Sequence, residues 1–538
     1  MSFLRQSRHG GLLVPLFSIP SASSWGVGEI ADIPALAAWL RDCGLDVLQL
    51  LPLNEMTSAQ NSPYGAISAL ALDPVYISVA RVPEFRAIGG IEHLTPGTRD
   101  RLQDVQAARS IQYREVRRIK HEALDAAYRQ FLGAEWRSGT ARASEFETFR
   151  REQAWWLSDY ALFRALHERF DARAWTEWPA ALRDRDPDAL LCARIELHER
   201  TRFFEYLQWI ASEQWHDARR DLGGVGLFGD FPFMVSLDSA DVWARQTQFD
   251  IGAQVGVPPD AFSETGQQWG LPVYRWDVHE ADEYRWLRER ARRCAELYDG
   301  CRIDHLVGFY RTYAIPRDGT PHFLPAEPAQ QIAQGERLMT IFRSSGLHII
   351  AEDLGTVPDC VRQSLARIGV PGFKLLRWER DWDAPGQPFR DPASYPAVSV
   401  ASTGTHDTEP MRVWWERAPA AERAAALRLP GLDVCGASPD SPFSAALRDG
   451  FLRVLFHAGS DVLLIPIQDV FGWSDRINVP ATVGANNWTF RLPWPVDRLG
   501  DMPDARAAAS RLRRWAEESG RTVAAPHFQA APERVEAG

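Results

Sequence analysis

The chain has 538 residues, 45% of them hydrophobic and 24% charged, a composition that supports a large globular core. Lys and Arg total 60 against 71 Asp and Glu, for a formal net charge of −11, and the basic residues form no stripe. Neither nucleic acid nor an anionic membrane is therefore expected as a partner, and an uncharged ligand suits the balance best.

The elements follow in chain order. Arg5 and Arg8 precede an apolar run, Gly11 to Ile19, interrupted at Pro15 and followed by Pro20. It reads as a first strand rather than a signal peptide, and no stretch elsewhere is long enough to span a bilayer. Eight short apolar runs read as strands: 12–19, 46–53, 225–233, 302–307, 348–353, 373–378, 398–402 and 462–467. Helical patterns precede most of them. Two examples are 33–43 before Gly44 and 361–368 before Gly369, each glycine being placed to end its helix. Strands alternating with helices predict a TIM (β/α)8 barrel. A doubly wound open sheet is the alternative, but no GxGxxG follows an early strand.

The barrel is expected to be one catalytic unit over residues 1–538, with large insertions around its C-terminal face. Residues 55–222 include a mostly helical insertion, with apolar stripes amid Arg and Glu. Residues 236–296 and 409–445 read as loop and helix insertions forming the rim, and 524–538 as a disordered tail. Cys43, Cys192, Cys294, Cys301, Cys360 and Cys435 occur singly, which suits reduced thiols in a cytoplasmic protein.

Catalytic groups of such a barrel sit where strands end and loops begin. That rule selects Asp230, Asp304, the pair Glu352 and Asp353, Asp407 and Asp469, a carboxylate at the end of five strands. Such acids repel one another, so stability alone accounts for them poorly. Taken singly, Arg302-Ile303-Asp304 reads as a structural ion pair. Within the set, Arg302 would compete with a cation for Asp304, so no metal is expected and glycosidic chemistry is favoured. That chemistry needs one ionised and one protonated carboxyl group. Asp304 beside Arg302 suits the first, and Glu352, after an apolar strand, suits the second. Asp353 points the other way by strand alternation and is expected to bond loop backbone. The 21 tryptophans add a mild signal, because flat aromatic faces stack on sugar rings.

The segments Ser62-Pro-Tyr-Gly65, Gly229-Asp-Phe-Pro232, Asp238-Ser-Ala-Asp-Val-Trp243, Gly256-Val-Pro-Pro259 and Phe262-Ser-Glu-Thr-Gly266 come first. Arg302–His305, Ala351–Gly355 and Gly404–Asp407 follow in order. Together they resemble glycoside hydrolase family 77, the amylomaltases or disproportionating 4-α-glucanotransferases of the α-amylase clan. The resemblance runs from Pro15 to about Pro495. It implies Asp304 as nucleophile, Glu352 as general acid/base and Asp407 as transition-state stabiliser. It implies Tyr64, Asp230, Arg302 and His406 around the reacting glucose, with Phe262, Trp269 and Asn478 elsewhere on the glucan. No cofactor is implied, and the expected donors and acceptors are α-1,4-glucans and maltooligosaccharides.

Two stretches depart from the family pattern. Asp260-Ala261-Phe262 carries Ala261 where an aromatic residue is common, and Thr408-Glu409-Pro410 follows His406-Asp407 in place of an Asn-containing run. An α-glucan hydrolase using the same carboxylates, and a catalytically silent glucan-binding protein, are the competing expectations.

Overall fold

Twelve strands are present in the computed structural model, which describes residues 8–57, 61–259, 265–480, 482, 484 and 486–521. In chain order they are β1 (His9–Leu13), β2 (Val47–Gln49), β3 (Gly226–Phe231), β4 (Phe249–Val257), β5 (Gln267–Tyr274) and β6 (Gly300–Ile303). Then come β7 (Thr312–Pro316), β8 (His322–Leu324), β9 (His348–Ala351), β10 (Gly372–Leu375), β11 (Ser399–Ser402) and β12 (Val462–Pro466). Eight of them close a barrel in the order β1-β12-β11-β10-β9-β6-β3-β2, all parallel. Its interior is filled by Val47, Phe228, Ile350, Phe373, Leu375, Val400, Val462 and Leu464, so it is a packed core, not a pore.

Every apolar run read as a strand contains or overlaps a barrel strand, but most boundaries move. The first strand ends at Leu13 rather than reaching Ile19, because Pro15 has no N–H for the ladder and Leu16–Ser18 winds into a 3-10 turn. The fourth barrel strand, β6, ends at Ile303, so Asp304 lies just past it. The expected helices form at Ile33–Asp42 and Asp359–Ile368, and Gly44 and Gly369 adopt left-handed backbone as each chain leaves its helix.

Five long helices, Pro96–Ala107, Tyr113–Gln130, Ala141–Arg169, Pro187–Glu196 and His198–Arg220, fill most of the expected helical insertion. The last lies against the barrel: the Trp215 indole N–H donates to the Leu297 carbonyl at 3.0 Å, and Arg219 pairs with Asp299 at 2.6 Å. Helices Met411–Arg417 and Ala420–Ala426 occupy the third insertion. The second insertion has helices at Ala240–Ala244, Trp276–Ala281 and Arg285–Leu297, but between the first two of them strands correct the loop-and-helix expectation. It contains β4 and β5, which join β7 and β8 in a four-stranded antiparallel sheet of order β5-β4-β7-β8. Gly252, Gly256, Gly270 and Pro272 dilute the apolar alternation in these two strands, which hid them.

At the opposite end from the strand C-termini, buried Arg521 donates to the carbonyls of His9, Phe456, Ala458, Ser460 and Asp461. Among the described residues all six cysteines are free thiols, and no helix is long and apolar enough to cross a membrane. The proposed tail at 524–538 lies outside the described residues.

Candidate active site

Parallel register assembles the centre. Asp230 of β3 is the register partner of Arg302 of β6, and Ile303 is the partner of Ala351 of β9. The next residue along each of the latter strands is Asp304 and Glu352, so both emerge side by side at the C-terminal rim. Arg302 is 2% exposed and spans two acids, its Nη1 lying 2.9 and 2.8 Å from the Asp230 oxygens and its Nη2 2.8 Å from Asp304 Oδ1. Burial disfavours the charge on this guanidinium, but Asp230 and Asp304 outweigh it and raise its pKa above the ordinary value.

The Glu352 carboxyl is anchored by backbone, accepting from the N–H of His305 at 2.9 Å and of Leu354 at 3.1 Å. Burial pushes it up to about 7; Arg302 opposes the rise and Asp304 adds to it. His305 has a φ of 43°, a left-handed conformation uncommon outside glycine, and that turn delivers its N–H to Glu352. Its ring, brought down to about 4 by burial, is uncharged and meets Trp269 edge to face at 4.7 Å. Asp353 faces away as expected, but its partners are in β10 and a helix rather than in loop backbone: it accepts from the Phe373 N–H at 2.8 Å and from Arg362 at 3.1 Å.

Tyr64 comes from a tight turn in which the Gly65 N–H donates to the Ser62 carbonyl at 3.1 Å. Its hydroxyl donates to Asp230 Oδ2 at 2.8 Å and lies 2.9 Å from His406 Nε2. The hydroxyl has one proton, committed to Asp230, so the Tyr64 oxygen accepts and His406 carries a proton on Nε2. The two rings stack at 5.4 Å, with Trp488 packed against both.

Asp407 sits in the loop after β11. Its Oδ2 is 3.2 Å from His406 Nε2, and its Oδ1 accepts from Asn478 Nδ2 at 2.6 Å. Burial acts to raise this carboxyl, but His406 and Asn478 overcome it and hold Asp407 well below the usual carboxylate range. Reciprocally, burial opposes charge on His406 while Asp407 raises it above its ordinary value.

A cleft of about 720 Å3 opens here, with Tyr64, Trp269, Asp304, Asp407, Asn478 and Trp488 in its walls. That size suits a small ligand or a few sugar rings, given the common range of about 300–1,000 Å3. A second cavity of about 470 Å3 adjoins it at Thr57, His167 and Ala172 and holds none of the residues selected from sequence. Thus Tyr64, Asp230, Arg302, Asp304, Glu352, His406, Asp407, Asn478 and Trp269 converge. Phe262 and Ala261 lie outside the described residues. Asp469 does not join the site: it is buried, accepting from the Thr403 hydroxyl and from the Met411 N–H at 2.6 Å. Trp488 was missed as a site residue, its only signal being membership in a large tryptophan set. Among the described residues no group of three or more His, Cys, Asp or Glu is placed to hold a metal ion.

Such a site can supply a carboxylate paired to Arg302, a carboxyl that changes charge near neutrality, and a fixed anion in the same cleft. Comparison with known proteins agrees with this chemistry. The model of glycoside hydrolase family 77, described as 4-alpha-glucanotransferase, matches residues 14–497. The 4-alpha-glucanotransferase of Chlamydia pneumoniae is 32% identical over 510 residues, covering 91% of this chain and 92% of the relative. That of Thermus thermophilus is 32% identical over 499 residues, covering 90% and 94%. The amylomaltase of Streptococcus agalactiae in complex with acarbose superposes with a TM-score of 0.80 at 27% identity, covering 96% of this chain and 100% of that one. Barrel, carboxylate constellation and whole-length similarity agree: the chain belongs to glycoside hydrolase family 77, the 4-α-glucanotransferases.

Proposed function

We propose that this 4-α-glucanotransferase moves a segment of an α-1,4-glucan to the 4-hydroxyl of another glucan or of glucose by a retaining double displacement. Asp304 is the nucleophile, Glu352 the general acid/base and Asp407 the transition-state stabiliser. The observation that carries the reading is the pairing of Asp304 with Arg302 at 2.8 Å beside Glu352, whose carboxyl burial pushes up to about 7.

In the first step Glu352 gives its proton to the glycosidic oxygen while Asp304 attacks the anomeric carbon. The C1–O bond breaks, the reducing-end fragment leaves as a neutral alcohol, and a glucosyl ester forms on Asp304. In the second step ionised Glu352 takes the proton of an incoming 4-hydroxyl, whose oxygen attacks C1 and releases Asp304. A retaining pair works at a carboxyl separation of about 5–5.5 Å. Asp407, fixed by Asn478 and His406, faces the hydroxyls of the reacting ring and stabilises its oxocarbenium-like state. Tyr64 is the stacking platform, Asp230 and Arg302 line the same subsite, and Trp269 contacts the glucan further out. The energy of the broken bond is kept in the ester, so transfer needs no nucleotide.

Water is the competing acceptor in the second step, so transfer and hydrolysis separate by products. Incubation with maltotriose is expected to yield glucose together with longer oligomers at a constant number of reducing ends. A rise in reducing ends without longer products would make the chain a hydrolase.

A further inference from the structure

Asp407 is held by its backbone as firmly as by its carboxylate. Its carbonyl accepts from Arg476 Nη2 at 2.9 Å, and Arg476 Nε donates to the carbonyl of Asn478 at 3.2 Å. One guanidinium therefore ties Asp407 to Asn478, whose side chain grips its carboxylate. Glu409 faces that guanidinium, its Oε2 lying 3.5 Å from Arg476 Nη1. The other oxygen of the same carboxylate accepts from Arg377 Nη1 at 3.3 Å.

Arg377 is 6% exposed, and its Nη2 donates to the carbonyl of Thr403 at 3.2 Å and to that of Glu409 at 2.8 Å. Glu409 thus bridges two arginines that fasten the segment 403–409, which carries His406 and Asp407: Arg377 holds both its ends and Arg476 the Asp407 carbonyl within it. Pro410 anchors the far side by capping the helix Met411–Arg417 in an extended conformation, with ψ of 155°. Without Glu409, the two guanidiniums would lose the carboxylate between them and repel each other across the back of the loop.

We propose that Glu409, acting through Arg476 and Arg377, is a positioning residue for Asp407. The inference rests on the assignment of Asp407 to the transition state of the reacting glucose. It gives the Thr408-Glu409-Pro410 stretch a role in the site, with Glu409 as the electrostatic bolt of the loop and Pro410 as its fixed end. Glu409 makes no contact with the reacting atoms, so its loss is expected to lower kcat rather than raise KM, as displacement of a transition-state group does.

The test is steady-state maltotriose disproportionation by the full chain and its variants. Glu409→Ala is expected to lower kcat about tenfold to hundredfold with KM held within about twofold. Glu409→Gln, which keeps an acceptor oxygen but not the charge, should lose about threefold to tenfold, and it serves if the alanine variant does not fold. Adding Glu409→Ala to Asp407→Asn should cost less than about twofold beyond Asp407→Asn alone, because a residue that works only through Asp407 has nothing left to position. Wild-type kcat in both Glu409 variants would overturn the inference. So would full multiplication of the two losses, the mark of a merely structural role. Wild-type kcat in Asp407→Asn would instead overturn the assignment of Asp407, whatever Glu409 does.

Discussion

Glu352 must be protonated in one half of the reaction and ionised in the other. A carboxyl at about 7 holds both forms at neutral pH. Burial sets that value against the pull of Arg302, and the two backbone N–H groups of His305 and Leu354 fix where the proton is held. Protonation of the leaving oxygen requires the acid form, so kcat/KM for maltotriose is expected to fall as pH rises through about 7, by about tenfold per pH step well above it. A flat profile from pH 6 to about 9 would contradict the role. The same group is linked to stability. Its folded value lies above the unfolded one of 4.5, so its contribution is complete below about 4.5 and lost as pH rises through about 7. Glu352→Gln cannot ionise, so its stability relative to wild type should increase between pH 5 and pH 8, by no more than about 3 kcal/mol. Inactivation of that variant at every pH should accompany the gain.

At the scale of elements, the barrel strands were legible because strands buried on both faces read as short continuous apolar runs ending in polar residues or Gly and Pro. Ends were less legible than middles: Pro15 truncates β1, and β6 stops before Asp304. The antiparallel pair β4 and β5 was not legible, since its glycines and half-exposed face break the alternation. Carboxylates at strand ends could be read from the barrel rule, and Asp353 from period two. The chain Asp230–Tyr64–His406 was grouped only by the family resemblance, because its members lie 166 and 342 positions apart and meet only through closure of the barrel. Glu409 stands out only as part of a departure from the family pattern, and Arg476 carries no signal of its own, since arginines are abundant along the chain. Gly229, beside Asp230, shows what strand packing demands. A Cβ there would meet the Tyr298 ring at 2.5 Å, closer than real carbon contacts. Gly229→Ala is therefore expected to cost about 1–3 kcal/mol and to disturb the Asp230–Arg302 pair. Thermal unfolding checks the stability loss, and a lower maltotriose kcat at a temperature where the variant is folded checks the disturbance. Wild-type values of both would show that β3 yields without moving Asp230.

Across the whole molecule the two ends of the barrel divide the work. The strand C-termini carry the acids and the cleft. The opposite end is closed by Arg521, whose guanidinium satisfies five carbonyls around the start of β1 and the approach to β12. The helical insertion is stitched to the frame, with Gln208 exchanging both amide bonds with Leu72 at 2.9 and 2.8 Å and Trp215 and Arg219 reaching the segment before β6. That rigid frame leaves Arg302 to hold Asp304 within reach of Glu352, and the proposed transfer turns on the covalent ester formed on Asp304. Glu352→Gln supplied with α-maltotriosyl fluoride tests it most directly. Fluoride leaves without acid assistance, whereas the second step still needs the missing base, so the ester should accumulate. Mass spectrometry of the digested protein should then find one maltotriosyl group on the peptide containing Asp304. The group on another carboxylate, or fluoride release at an undiminished rate with no adduct, would contradict it.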